Sequence, residues 1–363
     1  MKVIEKISQI IFCILLLFSK VNAQERLEKQ VEKSFPVEEG DLLDIENEYG
    51  KIIINTITGD SVKIAVLVKA EGKDTETTQE TLDRVTFSME KEGKVLTAHT
   101  NLDAKSSTIK SLAKSVGDAF KQTLTIDYEI GIPQGLEIDV YQKNGDIRID
   151  EISTASKIEL NDGELRLNKA TAPLGITLKG ATGTITSMKD GSLVMEKAEI
   201  NIKEGGKLVL NSNVAGSKLD AGKLTNLHLE SKNDEIECYE LGGLTGKSTL
   251  SKIKVEKLYG DTNFKLSFGF LTVEKVTEEM ESINVESKNS GDVFLDFANG
   301  IAFDLNVTGK TNSVELPEPT KGITKTNLDS KGREANWIGK VGEEGDRKVT
   351  LKSGSGGKIV LKW

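Results

Sequence analysis

The pattern that most constrains this chain is one that returns at a fixed step. Leu227-His228-Leu229-Glu230-Ser231-Lys232-Asn233-Asp234-Glu235-Ile236 reappears as Ile283-Asn284-Val285-Glu286-Ser287-Lys288-Asn289-Ser290-Gly291-Asp292-Val293. An earlier copy runs Ile138-Asp139-Val140-Tyr141-Gln142-Lys143-Asn144-Gly145-Asp146-Ile147. Each copy is an alternating strand, a small polar turn and a second alternating strand. The first two begin 56 residues apart, three periods of about 19, which is the scale of a solenoid repeat.

Period-two alternation puts Ile138 and Val140, then Ile147 and Ile149, on one face, and Asp139, Asp146, Arg148 and Asp150 on the other. The same split recurs through Ile158/Leu160, Leu208/Leu210, Leu227/Leu229 and Leu271/Val273 to Val314/Leu316, in roughly ten units of about 15–22 residues. One unit cannot bury its own apolar face. Stacked units can, each strand pairing with its equivalent about 4.8 Å along the axis, so ten turns make a rod of about 50 Å. Asn144-Gly145, Asp162-Gly163, Thr182-Gly183, Gly205-Gly206, Gly260-Asp261 and Ser290-Gly291 are read as corners. The 34 glycines and 5% aromatic content suit a narrow aliphatic core. An antiparallel meander explains one unit equally well, but not the return at whole multiples of one period. The reading is therefore all-β: a right-handed parallel β-solenoid (β-helix) of about 18–20 residues per rung, with one short amphipathic helical insert.

Residues 1–23 read as a signal peptide: Lys2 and Lys6, an apolar run from Ile10 to Phe18, and Val21-Asn22-Ala23 as the cleavage site. Export to the periplasm, the outer surface or the medium is expected, with no transmembrane segment after cleavage. Losing Lys2, Glu5, Lys6 and Lys20 takes the formal charge from −9 to −11, which argues against nucleic acid and anionic headgroups as partners. Cys238 then stands alone, reads as a buried structural thiol, and can form no internal disulfide.

Residues 24–123 read as N-terminal rungs with polar and helical inserts, and 124–363 as the main ladder with a C-terminal cap. Residues 34–70 look like first turns, and 71–83 hold a short helix ending near Leu82. Ile109, Leu112, Val116 and Phe120 give an amphipathic helix over 103–122, read as a cover for the coil. Pro317-Glu318-Pro319 breaks the ladder. Residues 320–347 read as a loop or poorly formed final turns, Val349 to Leu361 as a closing hairpin or rung, and Trp363 as a plug on the last turn. The departures Lys197-Ala198-Glu199 and Ala215-Gly216-Ser217 leave the register over 190–225 open.

The strand ending Ile132-Pro133-Gln134-Gly135, followed by Asn144-Gly145-Asp146-Ile147, resembles the putative-adhesin domain family of bacterial exported proteins. Phe35 to Ala70, with Asn47-x-Tyr49-Gly50-x-Ile52-x-Ile54, looks like that family's usual opening. The resemblance implies a β-solenoid and supplies no catalytic motif, because the family is named for repeat architecture.

The residues themselves offer little to chemistry. There are two histidines, His99 and His228, with no zinc spacing, phosphate-cradling loop or nucleophile elbow. Asp146, Glu164, Glu199, Glu235 and Asp292 are expected to align along one corner, as a calcium edge or a solvated one. The contact-surface candidates are Tyr141, Tyr239, Phe268 and Phe270. The first functional reading is a non-enzymatic exported adhesin-like binding or scaffold protein that takes an unknown macromolecule, protein or glycan, on a flat solenoid face, with no cofactor. The second is a periplasmic accessory or envelope-stress module docking a membrane partner through 103–122. The third is a calcium-assisted polysaccharide-active enzyme.

Overall fold

The computed structural model describes residues 25–102, 123–318, 321–343, 345–354 and 356–363. The expected signal peptide and the 103–122 helix lie outside them. Strand takes 71% of the described residues, and parallel strands stack as a β-solenoid of about 9 turns. Each turn gives one strand to each of two ladders. In the first ladder Val140, Ile158, Ile176, Leu193, Leu210, Leu229 and Gly246 hold successive places. In the second, Ile147, Leu165, Gly183, Ile200, Leu219, Ile236, Ile253 and Leu271 do so. The 56-residue repeat is exactly three turns, Leu227 to Leu244 to Thr262 to Ile283, of 17, 18 and 21 residues. Between 190 and 225 the register holds through two long strands, Glu199–Val214 and Lys218–Lys232, each crossing a corner unbroken.

The inward rows close into one core of small aliphatics, each side chain contributing about 1.5–3 kcal/mol. Cys238 fills an aliphatic place in this row, beside Ala221 and Val255. Where the first ladder's strand bends into the second's, most turns place one residue in the left-handed region: Tyr49, Asn144, Asp162, Gly180, Lys197, Asn233, Leu250, Phe268 and Asn289, at φ of 50 to 67°. The axial hydrogen bonds continue through this corner, as from Gly145 N–H to the Asp162 carbonyl at 3.0 Å. Thr182-Gly183, expected as a corner, lies inside the strand Thr182–Met188. Gly183 faces the core there, where a Cβ would meet Ile200 at 3.0 Å, and the bend is Gly180-Ala181.

Both ends differ from a simple stack. Residues 42–56 form a turn, but it lies second: residues 137–152 pair on one side of it, 95–99 and 128–132 on the other. Ser61–Gly72, expected as further rungs, runs antiparallel between Glu25–Pro36 and Thr123–Ile132. Val85–Glu92 and Val95–Leu102 make a hairpin, and the helix Thr75–Asp83 starts on Asp74, which accepts from Thr77 N–H at 2.8 Å. At the other end the C-terminal rung, residues 348–362, is inserted between the 282–297 and 303–315 turns rather than placed after them. In the region expected as a loop or poorly formed final turns, Ile323–Asn327 and Glu334–Val341 form a hairpin antiparallel to Phe303–Lys310. Trp363 packs edge-on against Phe303 at 6.0 Å. The charged strand Glu25–Pro36 and the short Ile323–Asn327 lie at the margins, the kind of edge that discourages further pairing. No helix among the described residues is long and apolar enough to cross a membrane.

Candidate contact surface

Because the interior is filled, any ligand must meet the outward rows. The stacked-carboxylate column is real as alignment. In the second ladder Asp146, Glu164, Thr182, Glu199, Lys218, Glu235, Lys252, Phe270 and Asp292 follow one another turn by turn. Threonine, lysine and phenylalanine interrupt it, so adjacent turns bring together no more than two carboxylates, Asp146 with Glu164. Among the described residues no three His, Cys, Asp or Glu side chains converge as a metal ion would require. The calcium reading loses its ligand set.

Several Lys and Glu pair across neighbouring turns: Glu151 with Lys169 at 3.3 Å, Glu159 with Lys179 at 2.9 Å, and Glu230 with Lys247 at 3.3 Å. Such exposed pairs contribute about 0–1 kcal/mol each. In the first ladder one outward row loses charge altogether, through Gly175, Ser192, Val209, His228, Thr245 and Asn263. His228 Nδ1 lies 3.0 Å from Thr245 Oγ1 in it. His99 stands instead on Val95–Leu102, its Nε2 2.9 Å from Asp44 Oδ2.

The four aromatic candidates fall in three places. Tyr141 is half-buried near the start of the first ladder, its hydroxyl accepting from Asn161 Nδ2 at 3.2 Å. Tyr239 is 48% exposed under Lys257, whose Nζ is 4.8 Å from the ring centroid and 3.3 Å from the hydroxyl. Phe268 and Phe270, 40% and 44% exposed, belong together. Both are exposed, Phe268 at the left-handed corner and Phe270 at the start of the strand Phe270–Val276.

A residue that sequence reasoning missed completes the group. Leu250, 50% exposed, occupies the left-handed corner one turn earlier, and its N–H donates to Ser267 O at 3.0 Å beside Phe268. Lys252 stands directly opposite Phe270. The signal was available only after the corners were aligned, since Asn233, Leu250, Phe268 and Asn289 then fall at equivalent positions. Asn, Asp and Gly tolerate this conformation; for a bulky apolar side chain it costs about 1–2 kcal/mol. Two such residues on adjacent turns, both exposed, make a convex apolar edge.

Cys238 is buried, and that burial pushes its thiol up to about 12. A group so placed offers no thiolate to solvent.

No family model matches the chain, and no curated protein matches it. Solved structures similar to it include a "putative adhesin" of Bacteroides fragilis NCTC 9343, at 14% identity and a TM-score of 0.32, covering 74% of this chain and 97% of that one. A "putative adhesin" of Parabacteroides distasonis ATCC 8503 is 12% identical with a TM-score of 0.34, covering 74% and 94%. A "putative lipid binding protein" of the same organism is 8% identical with a TM-score of 0.31, covering 92% and 96%. The fold assigned above rests on this chain's own strand register.

Proposed function

We propose that this chain is a non-enzymatic, exported, adhesin-like binding module, and that the corner formed by Leu250, Phe268 and Phe270 is where it meets a macromolecular partner. The observation that carries the reading is the pair of bulky apolar residues held exposed at φ of 61° and 58°. Asparagine at either place would cost less in the backbone and less in exposed apolar surface. Strain together with exposure is the combination expected of a contact residue rather than of a scaffold residue. The corner is convex, so it encloses no small molecule; it fits a hollow on a protein or glycan surface.

The test is binding of the mature chain to an array of host-matrix, glycan and envelope components, alongside Phe268→Asn and Leu250→Asn. The expected result is micromolar binding to at least one component, weakened about tenfold or more in the variants, with unfolding midpoints equal to or above that of the parent. Variants that bind as the parent does, or an array with no binder, overturn the reading.

A further inference from the structure

A different part of the surface carries a second site. Near the N-terminal end of the second ladder, Ile53, Arg148, Arg166 and Thr184 occupy successive places in one outward row. Asn55, Asp150, Asn168 and Thr186 lie in the row beside it, and together they line a concavity of about 590 Å³, within the size range of small-ligand clefts. The sequence has six arginines, and two of them stand here directly opposite each other on paired strands. Like charges so placed destabilise a ladder.

The two guanidiniums are not equivalent. Glu164 accepts from Arg166 Nε at 2.7 Å and from Nη2 at 2.9 Å, a two-pronged pair that fixes Arg166 in the plane of the sheet. Arg148 has no carboxylate within 4.0 Å among the described residues, although Asp146 and Asp150 flank it two positions away on the same face. Its fork of donors is therefore open to a ligand. Arg166 first, and then Arg148, hold the Glu164 carboxyl below its usual range. Around Arg148 the concavity also holds the exposed carboxylate Asp150, which accepts from Asn168 Nδ2 at 3.5 Å, and the uncharged, exposed Thr184 and Thr186. There is no aromatic wall and no deep apolar pocket.

We propose that this concavity binds the carboxylate or sulfate group of an acidic glycan, with Arg148 as the two-pronged partner of the anion and Asn168, Thr184 and Thr186 hydrogen-bonding to the sugar hydroxyls. Arginine matches a planar or tetrahedral oxyanion through paired N–H donors, and a row of hydroxyl and amide groups matches a hydroxyl-rich ligand. The site stands apart from the Leu250–Phe270 corner and does not depend on it.

The test uses the mature chain and three probes: trigalacturonate for carboxylate, a heparin tetrasaccharide for sulfate, and neutral galactotriose. At least one acidic probe is expected to bind more tightly than galactotriose by about tenfold or more, and to weaken as salt rises. Arg148→Gln removes that preference. Arg148→Lys keeps the charge without the fork and gives an intermediate loss, while Arg26→Gln leaves acidic-probe binding unchanged. Equal binding of acidic and neutral probes, absence of acidic-probe binding, or full binding by a folded Arg148→Gln variant overturns the proposal. Unfolding midpoints of both Arg148 variants separate loss of the site from loss of the fold. Failure of the corner patch on the array would leave this result untouched.

Discussion

Gly145→Ala tests the stacking of the turns at one atom. The backbone of Gly145 lies outside the left-handed region, so alanine meets no conformational penalty there. What it meets is the neighbouring turn: its Cβ would sit 1.7 Å from the Gly50 carbonyl oxygen and 2.3 Å from Gln142 Nε2, where ordinary contact is 3.4–4 Å. The two turns must part locally by more than about 1.5 Å, well beyond what bond-angle strain absorbs. Parting them breaks the bond from Gln142 Nε2 to Gly50 O, now 3.0 Å. It also leaves a fully buried amide, whose Oε1 already has no partner, with only the longer bond from Nε2 to Lys143 O at 3.4 Å. An unsatisfied buried amide costs about 1–3 kcal/mol and each stretched ladder bond about 1, giving about 3–5 kcal/mol in all. Gly93→Ala is the control. Its φ is +58° and nothing lies within 4 Å of the added Cβ, so only the left-handed penalty of about 1–2 kcal/mol applies. Equilibrium urea unfolding of the parent and both variants measures the difference. If Gly145→Ala is no more destabilised than Gly93→Ala, the turns do not approach as described and the axial stacking at this corner is wrong.

Cys238 should react with a thiol reagent no faster than the protein unfolds, because burial holds the thiol near 12 and out of reach; rapid labelling of the native chain would contradict its place in the core row. Asp234 is buried, and burial raises its carboxyl against the pull of the Ser217 and Lys232 N–H groups that donate to it. A raised carboxyl holds its proton better folded than unfolded, so stability falls as pH rises from the ordinary carboxylate value through the raised one. Asp234→Asn should therefore gain on the parent across that window, and a difference that stays flat or reverses in urea titrations would refute it. Deleting residues 348–363 removes the rung that pairs with both neighbouring turns, so limited proteolysis should clip the 303–341 region first; unchanged resistance there would refute its role as an internal support.

Legibility in the sequence follows what the physics constrains. Inward rows such as Ile147, Leu165 and Ile200 were readable because alternation marks a buried face, and the return of Lys-Asn at Asn233 and Asn289 fixed whole turns. Direction was not readable at the ends. Val62, Ile64, Val66 and Val68 alternate as cleanly as any rung, yet their strand runs antiparallel, since alternation says which side is buried and not which way the neighbour points. Nor could spacing alone show that residues 42–56 and 348–362 lie inside the stack, because both pairings are made by segments far apart in the chain. The hairpin over 323–341 carries its apolar residues, Ile323, Leu328, Ala335, Trp337, Ile338 and Val341, without sustained alternation, and pairing rather than pattern defines it. Phe268 and Phe270 could be named from their residue type. Leu250 could not, because its meaning depends on sharing a corner with Asn233 and Asn289.

A repeating coil makes departures from its own rule unusually informative. Every turn solves the same packing problem, so each equivalent position records what the backbone would prefer there. At the corner that preference is Asn, Asp or Gly, and Leu250 and Phe268 go against it at a cost the core must absorb. In the charged column, Phe270 takes a place that Glu, Lys and Asp hold on neighbouring turns, with no buried neighbour to reward it. On the second ladder's outer face, Arg148 opposes Arg166 where Glu151 with Lys169 shows how readily the ladder pairs opposite charges. None of the three choices is explained by stability, and each is exposed. A coil built only to persist would place asparagine, lysine and glutamate at these positions. Residues that weaken the scaffold while facing solvent are where binding has to be sought.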